Sequence, residues 1–96
     1  MVDVVEQAIS GSNVFSKIVD NIRGNYNYSL AGTWVGTITL QRSFDEGNTW
    51  RDVDSHTENI ETYGYEPGEN VYYRFGFKTG EYTSGQVTGR IDGVGK

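Results

Sequence analysis

The sequence predicts an all-β protein: an antiparallel β-sandwich, jelly-roll or Ig-like, with an N-terminal arm. Three observations carry this. Seven Tyr, four Phe and two Trp in 96 residues are types that favour strands. Thirteen Gly against one Pro supply the turns between them. Apolar residues also recur with a period of two along several stretches, which places alternate side chains on one face of a pleated strand. The length fits one domain with a modest core. Its expected division is an arm with a possible first strand over residues 1–24 and the sandwich over residues 25–96.

The elements follow in order. Residues 1–11 read as a flexible arm, with Gly11 flanked by Ser10 and Ser12. Val14, Ile18 and Ile22, with Phe15 and Val19, fit a helical stripe that Ser12 and Gly24 would cap. The same residues fit an early strand, and residues 13–23 are open between the two. Tyr26, Tyr28 and Leu30 alternate with Asn25, Asn27 and Ser29. Beyond Gly32, Trp34, Ile38 and Leu40 share one face. The run from Arg51 to Thr57 is polar, as an edge strand would be. Ile60 to Tyr65 forms a short strand that leads into Glu66-Pro67-Gly68-Glu69, a type II turn signal. Val71, Tyr73, Phe75 and Phe77 form the clearest alternation, and Val87 and Ile91 close the chain after a turn over residues 80–85.

Charge and composition narrow the function. Thirteen acidic against eight basic side chains leave a net charge of −5, which argues against nucleic acid and against an anionic membrane surface. No cysteine is present, so no disulfide framework is expected. The first residues show no export signal and no membrane span. His56 has no partner for a zinc or nucleophile site, and Asp52-x-Asp54 lacks the rest of a calcium loop. Glu58 with Glu61, or Glu66 with Glu69, are candidate carboxylate pairs for glycoside hydrolysis, but such acids read first as solvated surface. No enzyme activity, cofactor or metal is expected.

One motif stands out. Ser43-Phe44-Asp45-Glu46-Gly47-Asn48-Thr49-Trp50 follows the pattern S-x-D-x-G-x-T-W. Each residue type has a reason. Asp45 can accept the inward N–H groups of a tight turn, and Gly47 can take positive φ. Ser43 and Thr49 can tie the flanks, and Trp50 can cover the turn with an apolar face. The pattern resembles the Asp-box hairpins on the blades of sialidases and of several other β proteins. That resemblance specifies a turn and no reaction, and a sialidase-like propeller needs more blades than this chain holds.

Two further groups are candidates for an interface. Tyr63, Tyr65, Tyr72 and Tyr82 would make a sugar-stacking platform, or else divide between the core and a subunit interface. Val2, Val4, Val5 and Ile9 are apolar residues on the arm with no place in the strand pattern.

A wider resemblance covers about residues 22–92. The block from Tyr28 to Asp45, then Val71-Tyr72-Tyr73-Arg74-Phe75, then Tyr82-Thr83-Ser84-Gly85-Gln86-Val87, is similar to a set of short structural proteins of tailed bacteriophages. The resemblance implies a virion β-sandwich and carries no binding residues with it. The expected function is therefore a virion structural protein, a capsid decoration (cement) protein on the assembled head. The alternatives are a tail or head-fibre component, or a carbohydrate-binding module. The expected partner is the phage major capsid protein or another virion protein, reached through the arm and a neighbouring loop end. A homo-oligomer, with a trimer as the guess, is expected from exposed strand edges and surplus tyrosines.

Overall fold

The computed structural model describes residues 4–93, apart from the side chains of Asn21, Glu69 and Asn70. Five strands follow one another: β1 (Val4–Ile9), β2 (Val14–Phe15), β3 (Val19–Ser43), β4 (Arg51–His56) and β5 (Ile60–Gly93). All pairings are antiparallel and belong to one sheet. The all-β expectation holds. Because β3 and β5 are long and continuous, the architecture is one sheet folded over on itself.

The pairing defines two halves. In the first, residues 87–92 of β5 lie between β1 and residues 27–32 of β3. Residues 27–30 also pair on their other side with residues 60–63. In the second half, residues 72–77 lie alongside residues 38–43 of β3, whose far edge takes β4. Beyond them, β2 pairs with Phe77 and Gly76, and Val19 pairs with Tyr73. The halves face each other: Tyr28 and Phe75 approach to 6.0 Å between ring centroids, and Tyr26 and Tyr73 to 5.1 Å.

The passage between the halves depends on glycine. The β3–β5 register shifts on both sides of Gly36, whose φ is +150°, so the ladder bulges there. Gly85 on the opposing strand β5 has φ +86°, and the Thr33 carbonyl occupies the place of its missing Cβ. A side chain there would both strain the backbone and push the strands apart.

Alternation fills the space between the halves. Tyr28, Leu30, Ile38, Leu40, Val71, Tyr73, Phe75, Phe77, Val87 and Ile91 are all buried. Gly89 occupies the inward slot between Val87 and Ile91, and the Phe75 ring fills it.

Two expectations are corrected here. The N-terminal segment is no arm: β1 pairs residue by residue with residues 87–92, and Val5 and Ile9 are core residues at 6% and 2% exposure. Their alternation within Val4–Ile9 satisfies the sheet period, which the valine run at residues 4–5 disguises. Val2 lies outside the described residues. The boundary between residues 24 and 25 also disappears, because β3 runs straight through it with Gly24 at φ +75°. Residues 14–15 and 19–23 are strand, and the helical stripe is not used. Ser12, offered as a helix cap, instead accepts the Gly80 N–H at 2.9 Å.

Candidate functional site

The S-x-D-x-G-x-T-W hairpin joins β3 to β4, and its bonds are local. The Asp45 carboxylate accepts the Ser43 hydroxyl at 2.7 Å and the Thr49 N–H at 2.9 Å through Oδ1, and the Thr49 hydroxyl at 2.6 Å through Oδ2. The Ser43 Oγ in turn accepts the Gly47 N–H at 2.9 Å. The Thr49 hydroxyl and N–H, followed by the Ser43 hydroxyl, lower the Asp45 pKa to about 2. Gly47 takes φ +90° as its place in the motif requires, and Glu46 before it also enters the left-handed region at +62°. Trp50 leans on the turn, its ring 3.5 Å from where a Gly47 Cβ would stand. These bonds commit both Asp45 carboxylate oxygens to the turn itself.

Around this hairpin lies an aromatic and arginine patch. The Arg74 guanidinium sits between the rings of Phe15, at 4.0 Å, and Trp50, at 4.3 Å. Its Nε donates to the Gln41 side-chain oxygen at 2.9 Å. Gln41 donates to Asp52 at 2.9 Å, and Lys78 reaches the same carboxylate at 2.8 Å. Lys78 first, then Gln41, hold the Asp52 carboxyl below its usual range. Tyr72 lies opposite Ser43 in the ladder and so belongs to this face. Phe44 and Ile18 are 57% and 42% exposed at the hairpin, and the Phe44 ring lies 4.4 Å beneath the Arg42 guanidinium.

The four interface tyrosines therefore do not form one platform. Tyr72 is on the hairpin face. Tyr82 packs edge-on against Phe77 at 4.9 Å and donates its hydroxyl to the Gly85 carbonyl. Tyr63 and Tyr65 project from the first half of the sheet, at 80% and 67% exposure. Gly64 between them leaves room for the Tyr26 ring on the inner side. Val4, at 40% exposure, is at the edge of that same half.

One of the candidate acids departs from the surface expectation. Glu66 is not surface: its side chain is fully buried. It accepts Arg42 at 2.6 and 2.7 Å, the Tyr73 hydroxyl at 2.7 Å and the Gly68 N–H at 2.8 Å. The predicted type II turn over Glu66–Glu69 is absent: Gly68 does not take the positive φ that its place in such a turn requires, and its N–H donates to the Glu66 carboxylate. Burial first, and then the Glu66 hydrogen bond, raise the Tyr73 pKa. No local pattern marks Glu66, since Arg42 is 24 residues away in sequence.

His56 packs against Tyr28, with Asp54 3.1 Å from its Nε2. Among the described residues, no three His, Cys, Asp or Glu side chains are grouped to hold a metal ion, and no helix is long and apolar enough to cross a membrane. Arg42, Arg74 and Arg90 serve three different places. Arg42 serves Glu66, Arg74 the hairpin face, and Arg90 the opposite face, where it pairs with Asp92 at 3.0 Å. Comparison with protein-family models, curated proteins and solved structures finds no match to this chain.

Proposed function

We propose that this protein is a non-enzymatic structural subunit of a tailed-phage virion that decorates the assembled head, docking through the aromatic and arginine patch at the Asp-box hairpin. The observation that carries the docking surface is Arg74 within 4.0 Å of the Phe15 ring centre and 4.3 Å of that of Trp50, with exposed Ile18 beside Trp50 at Gly47 and exposed Phe44 in the same hairpin against Arg42. Aromatic residues and arginine are the types enriched at protein interfaces and their hot spots. A pre-formed patch loses little side-chain entropy on binding, which favours association. The resemblance over residues 22–92 supplies the virion context, and the patch replaces the N-terminal segment as the docking element. Self-association into a homo-oligomer fits this role, because several weak sites acting together on a repeating shell gain avidity.

The test is cosedimentation with purified shells. The intact protein is expected in the shell fraction, and the double variant Ile18→Ser, Phe44→Ser is expected in the supernatant with an unchanged melting temperature. Equal occupancy by both proteins would overturn the docking surface. Recovery with tails and not with heads would move the protein to the tail, and turnover of a glycoside or ester substrate would refute a non-enzymatic role.

A further inference from the structure

We infer that the opposite face of the molecule, around Tyr63 and Tyr65, is a binding site for a neutral oligosaccharide. Strand pairing places two rows of side chains there. One runs Glu6, Arg90, Ser29, Glu61, and the next runs Val4, Asp92, Asn27, Tyr63. Tyr65 follows Tyr63 on the same face, opposite Asn25. Two residues along a strand advance about 6.7 Å, so the two rings stand in line along one edge of the face. Between the rows lies an open cleft of about 420 Å³, lined by Asn27, Ser29, Glu61, Tyr63, Arg90 and Asp92.

The chemistry selects the ligand class. Sugars present apolar ring faces edged by hydroxyls that both donate and accept. Exposed aromatic rings serve the faces, and the amide, hydroxyl, carboxylate and guanidinium groups serve the rims. A protein partner would call for a desolvated apolar centre, and this face offers two rings amid polar groups. An anionic glycan is disfavoured because Arg90 is already shared by Asp92 at 3.0 Å and Glu6 at 3.9 Å, in a chain of net charge −5. The site is independent of the hairpin patch, so failure of one proposal leaves the other standing.

The experiment is an NMR titration of the full chain with maltohexaose, cellohexaose and chitohexaose, and with a heparin hexasaccharide as the anionic counterpart. At least one neutral hexasaccharide is expected to shift the amides of Asn27, Tyr63 and Arg90. Tyr63→Ala should weaken that binding by roughly tenfold or more, while Tyr63→Phe keeps it within about twofold, as loss and retention of a stacked ring predict. Tyr63 is mostly exposed, so both variants should melt like the parent. The inference is overturned if no neutral sugar moves these amides at millimolar concentration, if Tyr63→Ala binds as the parent does, or if heparin is preferred.

Discussion

Asp45 and Glu66 are both carboxylates bound to several donors, and they differ in how far those donors lie along the chain. The Asp45 partners stand within four residues, so the motif alone announces the geometry. The Asp45→Ala variant is expected to melt lower than the parent, because it leaves the Thr49 N–H and both hydroxyls without their acceptor. The pH dependence has a definite sign. A folded pKa lowered to about 2 gives stability that is full above the ordinary carboxylate value near 4 and lost as pH falls through about 2. The gap in melting temperature between parent and variant should therefore be wide at neutral pH and narrow between about pH 4 and 2; a gap independent of pH would contradict the bonding described. Glu66 finds Arg42 and Tyr73 only through the fold. Removing Arg42 strands a fully buried carboxylate, so Arg42→Ala should cost about 3–5 kcal/mol in urea unfolding. Arg42 is partly exposed, which puts the expectation toward the lower end of that range.

Among the elements, β1 departs most from its sequence reading. Its six residues contain two buried apolar side chains, Val5 and Ile9, whose burial stabilises by roughly 1.5–3 kcal/mol each. Deleting residues 1–9 also strips residues 87–92 of their outer ladder partner. The truncated chain is expected to lose most of its cooperative unfolding transition, followed by circular dichroism at 25 °C. A truncation that melts like the parent would restore the picture of a dispensable arm. The segment after it shows how context decides between states. Val14, Phe15, Ile18, Val19 and Ile22 suit helix and strand alike; strand wins at Val14, Phe15, Val19 and Ile22 because Phe77, Gly76, Tyr73 and Val71 are there to pair with them, while Ile18 lies in the link between β2 and β3.

For the molecule as a whole, closure of the sheet is the decisive event, since it brings Phe75 beneath Gly89 and sets two unlike surfaces on opposite outer faces. Gly85→Val tests closure directly. Positive φ costs a β-branched residue about 1–3 kcal/mol, and contact with the Thr33 carbonyl adds to it, so a clear drop in melting temperature is expected. What the sequence by itself determined is whatever depends on near neighbours: strand alternation, the Asp-box bonds and the absence of a disulfide framework, whereas the turn expected over residues 80–85 is instead a continuous part of β5. Only the tertiary structure decided which acid is buried, that the first strand is part of the core, and that four tyrosines divide among three places. The physical reason is range. A period of two says that a side chain faces one side of a strand, but which side is interior depends on strands paired from tens of residues away, and that pairing is written in no local pattern.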